Sequence, residues 1–80
     1  MVKDNIQKIL LGIQLKHLRL QNALQFGQLS AATGISVSYL NELEKGKKIP
    51  SDLILKKLSK YYNIPESALT EIQAHFLPLH

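Results

Sequence analysis

Eighty residues, 45% of them hydrophobic and 20% charged, suffice for one small domain and leave too little interior for a second. A formal net charge of +4 suits a polyanionic partner, and the absence of cysteine excludes a disulfide framework and thiolate metal sites. No apolar run approaches bilayer-spanning length and no signal-peptide core opens the chain, so a cytoplasmic location is expected.

The first helix is expected over residues 5–22, capped by Asp4 or Asn5. On it Leu11, Leu15 and Leu18 form one apolar stripe, continued by Leu24 in the following loop. Ile6, Ile9, Leu10, Ile13 and Leu20 form a second stripe on roughly the opposite side. A surface helix of a small domain needs only one such stripe. The second therefore requires a cover, either a C-terminal helix of the same chain or the first helix of another subunit. Residues 23–27 read as a short connection, with Phe26 expected in the core or an interface, and residues 28–32 as a short helical turn.

Gly34 can supply the positive φ that lets two helices meet steeply, with Ile35 plugging the crease between them. Ser36 is a good N-cap for the next helix, Gly46 a good left-handed terminator, and Lys45 lies where the negative end of the dipole favours a cation. At 100° per residue, Tyr39, Leu40, Leu43 and Glu44 fall on one arc, while Val37, Ser38, Asn41, Glu42 and Lys45 fall on the other. The first arc can pack inward. The second is a compact face of mostly small or polar side chains, able to enter a groove.

Lys47, Lys48, Ile49 and Pro50 make a basic loop, in which Pro50 forbids helix continuation. A fourth helix is expected from Ser51 or Asp52 to Tyr62, burying Ile54, Leu55, Leu58, Tyr61 and Tyr62 and exposing Lys56, Lys57 and Lys60. Asn63 is a suitable left-handed terminator, and Pro65 and Glu66 suit the first turn of a fifth helix. There Leu69, Ile72 and Phe76 recur on one face until Pro78 ends it, so residues 70–80 are expected to be an extended helix and tail. The basic surplus lies early: Lys3, Lys8, Lys16 and Arg19 face only Asp4 within residues 1–25, whereas residues 51–80 are balanced.

His17, His75 and His80 are isolated and no phosphate-cradling glycine loop exists, so neither catalysis, a metal nor a cofactor is expected.

Leu11-Gly12, Leu15, Leu18-Arg19, Leu29, Gly34-Ile35-Ser36, Tyr39-Leu40, Leu43-Glu44, Gly46-Lys47 and Pro50 stand in a common register. With them the chain, from Leu11 to Leu69, resembles the lambda-repressor-like (Xre/Cro) helix-turn-helix family. The resemblance implies an all-α, compact five-helix domain spanning residues 1–80, with a core over 11–69 and a helix-turn-helix formed by helices 2 and 3. It implies sequence-specific binding of double-stranded DNA by a transcriptional regulator, a repressor in its simplest form, that inserts helix 36–45 into the major groove as a homodimer. It also implies a partly buried ion pair between Arg19 and Glu44, bracing the first helix against the third.

Within that frame Val37, Ser38, Asn41 and Glu42 would face the bases. Asn41 can pair bidentately with adenine, Val37 can pack on a thymine methyl, and Glu42 can accept from cytosine N4 or remain a solvated neighbour of a lysine. Ser36, Tyr39, Lys45, Lys47 and Lys48 are the phosphate-contacting set, against the plainer readings of loop solvation for the lysines and a core boundary for Tyr39. Ile6, Ile9, Leu10, Ile13, Leu20, Ile72 and Phe76 are the surface for dimerisation or C-terminal packing. The chain departs from the family at Gln25 and Phe26, where a Ser or Thr cap and a phosphate-contacting Gln are usual, and at Val37 and Glu42, where Gln, Arg or Lys are commoner. These departures support an alternative: a protein-interaction, antitoxin or adaptor module on the same fold with weak DNA binding.

Overall fold

The computed structural model describes residues 2–70. They form α1 (Val2–Gln21), α2 (Phe26–Thr33), α3 (Val37–Glu44), α4 (Asp52–Tyr62) and α5 (Ser67–Thr70), with no strand among the described residues. The fold is all-α, as expected, with α2 and α3 as the helix-turn-helix pair. Ile72 and Phe76 of the expected fifth-helix stripe, and the tail beyond them, lie outside the described residues.

Most helix ends follow from single residues. Ser36 Oγ accepts the Tyr39 N–H at 3.1 Å, and Ser51 Oγ accepts the Ile54 N–H at 3.3 Å, satisfying donors that the first turn leaves free. Gly34 (φ 76°), Gly46 (φ 74°) and Asn63 (φ 57°) all adopt the left-handed conformation after a helix. At Gly46 the reversal is closed by two bonds, Gly46 N–H to the Leu43 carbonyl (3.1 Å) and Lys47 N–H to the Glu42 carbonyl (3.0 Å).

Several boundaries differ from expectation; α5 begins at Ser67, after the Pro65 and Glu66 expected in its first turn. Helix α1 begins at Val2, so Asp4 and Asn5 fall within its first turn rather than before it. The same helix ends through a left-handed Ala23 (φ 54°), with Leu24 N–H bonded to the Arg19 carbonyl and Ala23 N–H to the Leu20 carbonyl, both at 3.0 Å. Helix α2 starts at Phe26, two residues before the expected turn, because Gln28 Oε1 reaches back to accept the Gln25 N–H at 2.8 Å.

The core is almost entirely leucine: Leu11, Leu15, Leu29, Leu40, Leu43, Leu55, Leu58 and Leu69, with Ile35 in the crease between α2 and α3. Burying each such side chain contributes about 2 kcal/mol. Helix α1 packs chiefly on α3, α2 on α3 and α4, and α5 closes against α1. On α4 the buried arc is rotated from the expected one. Ser59 is buried and its Oγ donates to the Lys56 carbonyl at 3.1 Å, whereas Tyr61 is exposed and lies edge-on to Tyr62 with ring centroids 5.2 Å apart. A serine is small enough to let α4 approach, and a tyrosine on the flank keeps its hydroxyl in water. No described helix is long and apolar enough to cross a membrane.

Candidate nucleic-acid interface

Helix α3 is held from behind. Leu40 and Leu43 are buried on its inner arc, and its last carbonyls press on α1 at Gly12, where an added β-carbon would lie 2.6 Å from the Leu43 oxygen and 2.7 Å from the Glu44 oxygen. Only glycine permits that approach. Farther along α1, Arg19 makes a forked contact with Glu44: Nε to Oε2 at 2.7 Å and Nη2 to Oε1 at 3.1 Å. Its remaining nitrogen, Nη1, donates to the Leu24 carbonyl at 2.9 Å, and the guanidinium lies 4.1 Å from the centre of the Phe26 ring. The side chains are only 12% and 8% exposed. The hydrogen bond to Glu44 raises the Arg19 pKa above its ordinary value against the opposing pull of burial, so the cation persists. One arginine thus ties α1, the α1–α2 loop, α2 and α3 together.

The other side of α3 is open. Val37 is 45% exposed, Ser36 and Ser38 are exposed, and Asn41 and Glu42 are half-buried. Lys45, Lys47 and Lys48 follow in sequence and are all exposed. Tyr39 packs its ring against the core edge, and the Lys48 ammonium lies 5.0 Å from the centre of that ring. Lys48 Nζ also meets Glu42 Oε1 at 3.1 Å, both side chains remaining wet. The structure therefore groups Glu42, Lys48 and Tyr39 into one cluster, leaving Val37, Ser38 and Asn41 on the face and Lys45 and Lys47 without an ion-pair partner among the described residues.

Sequence reasoning passed over three contributors. Gly12 was notable only as part of the motif register, because its packing role depends on where α3 crosses. Phe26, expected in the core or an interface, does pack against the core, but its place beneath Arg19 is a contact no spacing rule shows. Lys57, read as a solvated residue, places its ammonium 3.9 Å from the β-carbon position of Gly34, beside the turn between α2 and α3. Its signal was the Lys56-Lys57 pair two turns before a helix end, too common to single out. Among the described residues no group of three His, Cys, Asp or Glu side chains is placed to hold a metal ion.

Residues 15–69 match the helix-turn-helix family. Among solved structures, the chain is similar in fold to the clp gene regulator ClgR from C. glutamicum, with a TM-score of 0.75 and 24% sequence identity over 92% of this chain and 96% of that one. Comparison with curated proteins gives no match. The family match covers well over half the chain and takes in the capped α3, the left-handed turn at Gly34 and the arginine-braced crossing with α1. On these grounds the chain belongs to the helix-turn-helix family, in its lambda-repressor-like (Xre/Cro) form.

Proposed function

We propose that the chain binds double-stranded DNA sequence-specifically and regulates transcription by placing α3 in the major groove. One observation carries this reading: the inner arc of α3 is clamped by Leu40, Leu43 and the Arg19–Glu44 pair, while Val37 and Ser38 at its N-terminal end stay open to solvent. A helix held rigidly outward by its back is the arrangement that major-groove reading requires. Asn41 is the adenine reader, Val37 the thymine-methyl contact and Ser38 an adaptable donor or acceptor. Lys45, Lys47 and Lys48, with Ser36, the free N–H groups of the first turn and the Tyr39 hydroxyl, contact phosphates. The 3.1 Å contact with Lys48 favours Glu42 as the anchor of that lysine over cytosine recognition.

A single such domain offers few base contacts, so useful specificity calls for a homodimer reading two half-sites about 34–36 Å apart. Occupying such a site fits repression. In this reading residues 1–80 act as one cytoplasmic domain whose core spans residues 11–69, with no cofactor.

Binding to duplex DNA measured across a salt series tests the proposal. The logarithm of affinity should fall linearly with that of salt, with a slope of about −0.9 per phosphate contact. Replacing Lys47 and Lys48 together with alanine should weaken binding to every sequence and flatten that slope by about two, whereas Asn41→Ala should relax preference at one base pair. If neither variant alters retention on DNA, the regulator reading fails. The adaptor reading then takes its place, favoured by the exposed apolar stripe of α1.

A further inference from the structure

The outer arc of α3 and the loop after it are tied together at one residue. The Glu42 main-chain carbonyl accepts the Lys47 N–H at 3.0 Å, closing the left-handed turn at Gly46. Its carboxylate, through Oε1, meets Lys48 Nζ at 3.1 Å, and that ammonium lies 5.0 Å from the centre of the Tyr39 ring. Lys48 is therefore fixed at both ends. The turn sets where its backbone leaves the helix, and Glu42 with Tyr39 sets where its charge stands. Lys45 and Lys47 have no such partners among the described residues. Fold stability does not account for the arrangement, because a pair whose side chains are 46% and 41% exposed contributes little. The ammonium carries three donors, and with the carboxylate on one side and the ring on another it keeps a side open to an external acceptor.

We propose that Glu42 is a positioning residue for DNA reading: it holds Lys48 as a fixed phosphate clamp and so sets the register in which α3 meets the groove. The proposal rests on the DNA-binding reading above and adds the residue that confers selectivity. A loose lysine follows whichever phosphate is near and adds affinity for every duplex alike. A lysine held at one place relative to α3 meets its phosphate best in one seating of the helix, which is how backbone contacts fix orientation. Ordering that long side chain beforehand also lowers the entropy lost on contact. The charge of Glu42 works in the same direction. It repels phosphates wherever the helix lies askew, lowering affinity for sequences that do not seat it.

The clamp is tested first without DNA. In proton NMR spectra of the full chain the Lys48 ε-methylene signals should lie upfield, shielded by the Tyr39 ring. That shift should persist in Tyr39→Phe, vanish in Tyr39→Leu and weaken in Glu42→Gln. Signals at ordinary lysine positions overturn the proposal whatever the DNA results. The second measurement compares affinity for a duplex selected from a random pool with affinity for a random duplex, at one salt concentration. Glu42→Gln removes a negative charge, so random-duplex binding should rise roughly three-fold. Binding to the selected duplex should fall roughly three-fold as Lys48 loses its anchor, a loss of selectivity of about ten-fold. In a Lys48→Ala background Glu42→Gln should raise both affinities alike. A rise on both duplexes with Lys48 present reports only the lost charge, and a fall on the selected duplex that persists with Lys48→Ala reports a direct base contact by Glu42. Either result overturns the clamp. A protein that selects no duplex sequence overturns the regulator reading and the clamp together, whereas undiminished selectivity in Glu42→Gln overturns the clamp alone.

Discussion

The Leu43 carbonyl oxygen lies 2.6 Å from where a β-carbon on Gly12 would stand, so α1 and α3 meet backbone to backbone. Gly12→Ala must push the end of α3 outward, since the obstructing atoms belong to the main chain and cannot rotate away. Alanine gains about 1 kcal/mol of helix propensity, less than the cost of overpacking. The variant should lose about 2 kcal/mol of stability in urea denaturation and should also bind DNA more weakly, because α3 is displaced.

The forked pair between Arg19 and Glu44 is nearly dry, which makes removal of one partner costlier than removal of both. Glu44→Gln should cost about 3 kcal/mol, lowering the melting temperature by roughly 15 °C for a domain of this size. Arg19→Met combined with Glu44→Leu should recover most of that loss. A double-mutant cycle on thermal melts measures the coupling.

Ala23 holds a left-handed conformation at the end of α1 (φ 54°), which costs an L-residue with a β-carbon roughly 1–2 kcal/mol. Glycine removes that cost but enlarges the freedom of the unfolded chain. The balance predicts that Ala23→Gly stabilises the fold by about 0.5–1 kcal/mol, visible as a rise of a few degrees in the melting temperature.

The Tyr62 hydroxyl is buried with no hydrogen-bond partner among the described residues. Burial, followed by the charge of Glu44, pushes its pKa up to about 12 from an ordinary 10.0. The native state therefore holds the proton more tightly than the unfolded chain. The corresponding stability is complete below pH 10.0 and declines as pH rises towards about 12. Tyr62→Phe removes an unsatisfied group, so it should raise stability at neutral pH by about 1 kcal/mol. Its melting temperature should also fall less steeply than that of the parent protein between those two pH values.

Where a single side chain marks a helix end, the sequence was a sufficient guide. Ser36 and Ser51 open their helices, and Gly34, Gly46 and Asn63 close theirs, because capping chemistry is local. The end of α1 was legible to within one residue, but the left-handed Ala23 that makes it and the cap at Gln25 were not. An alanine in the left-handed region is imposed by the chain's route from α1 to α2, and the Gln28 return bond does the work usually signalled by serine or threonine. The inner and outer arcs of α3 followed from its period, since Leu40 and Leu43 leave it one way to pack. What spacing could not show was contact between elements distant in sequence: Gly12 under the α3 carbonyls, Phe26 beneath Arg19, and the folding of Lys48 back over Tyr39 onto Glu42. Each depends on the path of a loop or the crossing of two helices.

The left-handed turn at Gly46 rests against Ile9, whose Cα lies 3.2 Å from the glycine's β-carbon position. Ile9 thereby supports the exit of α3 on one flank while its other flank is exposed. Close-packed contacts transmit displacement with little give. A change of volume at Ile9 is consequently expected to alter the angle at which α3 leaves the body of the domain.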